Sequence, residues 1–221
     1  MPEEVPNNPR YNSQLYVKND ERQRELNLKT LDFFHLTFAQ TNTKDHQFLD
    51  LGCGTGDFTR DWLLPRCPPC RRIVAVDASG DMLSYARQNC SHPSIEYDYL
   101  NIGNDVTGFV QKYGRFYRIY SFFCLNWLSN QAHAMKNVSS LLTDSGECLL
   151  VFPAWSPTRM LWRKIGQLER WKKFAHVSLL CIICFVIYRH AYGESKQVRY
   201  VFRKGNSFNL RIMILNIHSI W

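Results

Sequence analysis

The chain has 221 residues, of which 45% are hydrophobic, 14% aromatic and 21% charged. That length suits one domain with a short appendage, and that composition excludes wholesale disorder, a collagen-like fibre and a heptad coiled coil. The formal net charge of +8 is uneven, since residues 176–221 carry six Lys/Arg against one acidic residue while residues 1–175 carry 21 basic and 18 acidic residues. A nucleic-acid partner would therefore rest on the tail alone, and none is expected.

Residues 1–13 read as a disordered leader, Pro- and Asn-rich and without the basic and apolar pattern of a secretory signal. The eight cysteines are accordingly expected as reduced thiols in a cytoplasmic chain. Glu21–Gln40 reads as a helix, with Leu28, Leu31, Phe34 and Phe38 close to one stripe. Strands and helices then alternate. Phe48–Leu51 is a short apolar run ending in glycines, and Asp57–Leu64 a helix stopped by Pro65. Ile73–Val76 is all apolar, as a strand covered on both faces requires. Ser79 can cap a helix over Gly80–Cys90 that turns Met82, Leu83 and Ala86 inward. Ile95–Leu100, Phe116–Phe123 and Glu147–Phe152 read as three further strands, the last after a turn at Asp144-Ser145-Gly146. Val106–Tyr113 and Gln131–Leu142 read as helices between them. The rhythm predicts an α/β fold with a doubly wound, mostly parallel sheet and right-handed crossovers.

The most informative segment is Phe48-Leu49-Asp50-Leu51-Gly52-Cys53-Gly54-Thr55-Gly56, a strand running into a G-x-G-x-G turn and a helix. Glycines there let backbone approach a ligand and adopt dihedrals that side chains forbid. The spacing is not the G-x-G-x-x-G of dinucleotide binders. Asp50 is placed to meet a ligand ammonium, and Asp77 ends the next strand, where a carboxylate can accept both hydroxyls of a ribose. A ligand with a ribose and an ammonium but no pyrophosphate is S-adenosylmethionine.

On these residues, together with Val76-Asp77-Ala78-Ser79 and Asp81-Met82-Leu83, the chain resembles the Rossmann-like class I S-adenosylmethionine-dependent methyltransferases. The resemblance implies that Gly52, Gly54 and Gly56 line the methionine and ribose, with Cys53, Ala78 and Ile102 beside them. It also implies that Asp77 holds the ribose, that Met82 packs on adenine and that Asn101 meets the adenine amino group, where the family commonly has Asp. Cys53 itself reads as a packing residue rather than a nucleophile.

The segment Ser121-Phe122-Phe123-Cys124-Leu125-Asn126-Trp127-Leu128 lacks the Asn/Asp-Pro-Pro-Tyr/Phe of N6-adenine methyltransferases. With Glu147–Phe152, and with Leu15-Tyr16-Val17-Lys18 followed by Gln23, it is similar to juvenile hormone acid O-methyltransferases. That likeness implies methylation of a farnesoic-like carboxylic acid, with Gln23 and Trp127 as the groups that hold the acceptor. The family commonly has His before this Trp, where Asn126 stands here. The alternatives are a catalytically weak or inactive S-adenosylmethionine-binding protein and a methyltransferase of another acceptor class.

Cys67-Pro68-Pro69-Cys70 and Cys181-Ile182-Ile183-Cys184 have the pair spacing of a zinc site, but the second pair lies in a bare apolar run, so no metal is expected. The methyltransferase domain is expected over residues 14–174 and an atypical apolar and basic tail over 175–221. Three readings of the tail stay open: a replacement of the usual cap over an apolar acceptor, a last hairpin from Val198–Phe202 and Phe208–Leu215, and a membrane contact by Phe174–Tyr188, which is short to span and is not favoured.

Overall fold

The computed structural model describes residues 13, 16–17, 21–34, 38, 42–128, 130–152, 164, 167–170, 197–203 and 209–215. Helix α1 is Glu21–Phe34. The sheet begins with β1, Gln47–Leu51, buried at every position. A π-helical turn, Thr59–Leu63, runs into α2, Leu64–Arg66. There follow β2 (Arg72–Asp77), α3 (Gly80–Asn89), β3 (Ile95–Tyr99), α4 (Thr107–Tyr113), β4 (Phe116–Phe122), α5 (Gln131–Leu141) and β5 (Leu142–Val151).

The five strands lie in the order β3-β2-β1-β4-β5, and every pairing is parallel. This is an open, doubly wound parallel sheet, as the sequence predicts. Successive residues of β1 feed opposite faces. Leu49 and Leu51 join Val138 and Phe109 under α4 and α5, while Phe48 joins Leu31 of α1, Leu63 and Tyr120 on the other side. Full burial of a side chain such as Phe48 contributes about 1.5–3 kcal/mol. The strand order reverses between β1 and β4, and the crevice at that reversal is where such sheets place ligands.

Three elements depart from the sequence expectation. Helix α1 spans Glu21–Phe34, and the helix expected to run to Gln40 does not include Phe38, which lies in a bend, buried edge-on against Tyr120 with ring centroids 5.6 Å apart. Pro65 does not stop the helix. The Leu64 N–H reaches back five residues to the Thr59 carbonyl, and the wider π turn lets the chain pass Pro65 as an early residue of α2, where its missing donor costs nothing. The turn expected at Asp144-Ser145-Gly146 is instead a bulge inside β5. Leu142 pairs with Phe116 and Glu147 with Arg118, so the intervening residues loop out without ending the strand.

In the tail, β6 (Gln197–Arg203) and β7 (Asn209–Leu215) form an antiparallel hairpin whose second strand neighbours β5. Phe174–Tyr188, Trp155, Trp162, Trp171, Cys181 and Cys184 lie outside the described residues. Among the described residues no helix is long and apolar enough to cross a membrane.

Candidate active site

The glycine turn is fixed by its own backbone. The N–H groups of Gly52 and Cys53 both donate to the Val76 carbonyl, at 2.8 and 2.9 Å, which ties the end of β1 to the end of β2. Gly52, Gly54 and Gly56 all have positive φ, at 83°, 56° and 76°, a region that costs a side-chain-bearing residue about 1–2 kcal/mol. Their surroundings differ. A Cβ on Gly52 would collide with the Cβ of Cys124, and one on Gly56 would lie 2.6 Å from Tyr97 Oη. A Cβ on Gly54 would meet only Tyr16 Cε1, at 3.8 Å, because Gly54 faces an open cleft.

Asp77 completes the turn. Its Oδ2 accepts from the Gly54 N–H at 2.9 Å and its Oδ1 from the Ser79 N–H at 2.8 Å. Burial raises its carboxyl pKa above the ordinary range despite the N–H groups of Ser79, Gly54 and Ala78 that favour the charge. Ser79 caps α3 by accepting from the Met82 N–H, which sets Met82 on the cleft wall. Gly52, Gly54, Asp77, Ala78, Met82, Asn101 and Ile102 thus share one cleft of about 380 Å³ with Trp127. The Asn101 side-chain oxygen accepts from the Gly103 N–H at 2.9 Å, which orients the amide.

Asp50 and Cys53 border a second, smaller cavity of about 30 Å³ on the far side of Gly52. Gly56 borders neither cavity, and its positive φ together with Tyr97 is what calls for glycine there. Asp50 is 3% exposed and accepts from Thr59 Oγ1 at 2.5 Å. Burial pushes its carboxyl up to about 7; the Thr59 hydroxyl opposes the rise and the nearby Asp77 charge adds to it. Burial likewise raises the Cys53 thiol, with Asp77 and Asp50 adding, and lifts Cys124 to about 12, so both stay neutral thiols rather than nucleophiles. Cys67 and Cys70 are free thiols, and among the described residues no group of three or more potential ligands could hold a metal.

The two acceptor-holding candidates are not brought onto one wall. Trp127 sits in a 3-10 turn, Leu125–Trp127, just past β4, and is 60% exposed at the rim of the cleft. Gln23 of α1 borders the small cavity, where its Nε2 donates to Tyr16 Oη at 3.0 Å. Tyr16 borders both cavities and links them. Sequence reasoning passed over Phe123, which holds φ at 56° on the cleft wall at the end of β4. Its signal was position, since residues just past the carboxyl ends of the strands beside the reversal face the crevice. It also passed over Asn27 and Thr59, which border or bond to the buried Asp50 region through side chains distant in sequence.

The donor set fits a nucleoside carrying an amine. Gly54 offers a cradle that a Cβ would fill, Asp77 a carboxylate, Asn101 an amide and Met82 and Ile102 an apolar wall. Asp50 supplies a buried acid on the adjoining cavity.

Residues 48–146 match the family described as a methyltransferase domain. Over 161 residues the chain is 30% identical to the juvenile hormone acid O-methyltransferase of Bombyx mori, covering 72% of this chain and 56% of that protein. Over 162 residues it is 29% identical to the enzyme of the same name from Drosophila melanogaster, covering 72% of this chain and 54% of that one. The chain thus spans about half the length of the curated relatives it matches. In fold it is similar to the CurJ carbon methyltransferase, with a TM-score of 0.56 at 19% identity over 88% of this chain and 54% of that one.

Proposed function

We propose that this chain uses S-adenosylmethionine to methylate the carboxylate of a small apolar acid, farnesoic-like in kind, a reading supported by the match of residues 48–146 to a methyltransferase domain. The observation that carries this reading is that Trp127 borders the same cleft as Gly54, Asp77 and Asn101. S-adenosylmethionine, when bound, supplies an electrophilic methyl group. Gly54, Asp77, Met82 and Asn101 are the residues that would hold it, and Asp50 the carboxylate that would meet its charged amine.

A carboxylic acid acceptor with a pKa of about 4–5 is already ionised at neutral pH, so the protein needs no general base. Its task is positioning, which can supply most of the acceleration. The Trp127 indole N–H donates and cannot accept, so it fixes a carboxylate oxygen without ambiguity. A neutral donor also avoids over-stabilising a charge that disappears in the transition state. Phe122, Phe123 and Leu128 give the cleft the apolar wall a small hydrophobic acid needs. Gln23 acts one step back, as a positioning residue that holds the Tyr16 hydroxyl.

A second reading, cofactor binding with slow turnover, is favoured by one observation: Gln23 and Trp127 border different cavities. The test is methyl ester formation from S-adenosylmethionine and a panel of isoprenoid, fatty and aromatic acids. Trp127→Phe keeps the ring and removes the donor. It is expected to lower kcat/KM by about 10- to 100-fold, the worth of one hydrogen bond to a charged group. An unchanged value removes Trp127 from the acceptor site. Cofactor binding with no ester from any acid favours the second reading.

A further inference from the structure

The small cavity behind Gly52 contains a feature that the glycine turn does not account for. Asn27 of α1 is 5% exposed and borders the cavity, and its Oδ1 is buried without a hydrogen-bond partner. An unsatisfied buried acceptor costs about 1–3 kcal/mol. The side chains that converge there are rich in acceptors. Asp50 presents its carboxylate, and Asp57 borders the same space with Arg24 paired to it at 3.2 Å. Arg24 is paired with Asp57, so an ionised Asp50 leaves the cavity with a net preference for a cation. Its volume of about 30 Å³ admits one small polar head and nothing larger. Gly52, Tyr16 and Phe122 border this cavity and the main cleft alike, so a ligand lying along the cleft needs only a short arm to reach it.

We infer that Asn27 is a specificity-determining residue for the amino-acid end of the cofactor, its Oδ1 accepting a hydrogen bond from the α-ammonium beside Asp50. The inference rests on the S-adenosylmethionine reading above. It assigns to α1, an element outside the residues matched by the methyltransferase domain, a direct part in reading the cofactor.

The experiment is a cycle between residue and ligand. Binding of S-adenosylhomocysteine, and of its analogue with hydrogen in place of the α-amino group, is measured by calorimetry to the full chain and to Asn27→Ala. The substitution is expected to weaken S-adenosylhomocysteine by about 10- to 100-fold, in line with a lost hydrogen bond to a charged group, and to leave the desamino analogue within about twofold. Asn27→Asp keeps an acceptor at the same place and is expected to retain S-adenosylhomocysteine affinity, which separates this role from a fold defect. Equal losses for both ligands, or no loss for either, overturn the inference and leave Asn27 with a packing role or a bound water. If the unaltered chain binds neither ligand, the cofactor reading itself fails.

Discussion

Asp50 is the residue at which stability and binding pull against each other. Its carboxyl is held at about 7 by burial, against an ordinary value of about 4 in the unfolded chain. A group raised in this way contributes stability that is fully present below about pH 4 and is lost as pH climbs through about 7. At pH 8 the free protein therefore carries a destabilising, ionised Asp50. Asp50→Asn retains an acceptor for Thr59 Oγ1 and removes the charge, so it is expected to stabilise the ligand-free protein at pH 8 by on the order of 3 kcal/mol. The same change is expected to weaken S-adenosylhomocysteine binding. With Asp50 as the partner of an ammonium, binding requires the ionised form, and affinity is expected to fall about tenfold per unit of pH below about 7. Melting curves and calorimetry across pH 5–9 check both. A pH-independent affinity means that Asp50 does not meet the ligand's charge.

At the scale of elements, Asp77 shows how a single carboxylate can serve the fold before it serves a ligand. Both its oxygens already accept backbone N–H groups, one from the glycine turn and one from the start of α3. Asp77→Asn leaves one of those N–H groups without an acceptor, and the free protein is expected to lose about 1–3 kcal/mol as well as ribose affinity. A residue that only touched ribose would leave the ligand-free melting temperature unchanged, so that measurement separates the two roles. The parallel strands were legible in the sequence because a sheet covered on both faces needs unbroken apolar runs, as in Ile73–Val76. The glycine turn was legible because three positive φ values leave little choice of residue. The passage through Pro65 was not, because the π turn that permits it is a backbone hydrogen-bond choice without a residue signature. Nor was the contact of Gln23 with Tyr16, which depends on how the chain before α1 meets the cleft.

At the scale of the molecule, the cleft is assembled from the ends of four strands. The glycine turn follows β1, Asp77 ends β2, Asn101 follows β3 and Trp127 follows β4. No two neighbouring elements make the site alone, so a ligand bound there is bound only by the laddered sheet, and its binding free energy adds to the stability of the whole. S-adenosylhomocysteine at 100 times its Kd is then expected to contribute about 2.7 kcal/mol, which for a chain of this size raises Tm by roughly 5–10 °C. Gly54→Ala is the informative control. Its φ of 56° makes alanine costly by about 1–2 kcal/mol, yet the new methyl group meets only Tyr16 at 3.8 Å, so the chain is expected to fold with Tm a few degrees lower. On the proposed reading the cofactor lies along the cleft at Gly54, where the methyl group would stand, so the ligand-induced rise in Tm is expected to vanish. A Gly54→Ala protein that still gains 5 °C or more from roughly the same ligand concentration would place the ligand elsewhere in the molecule.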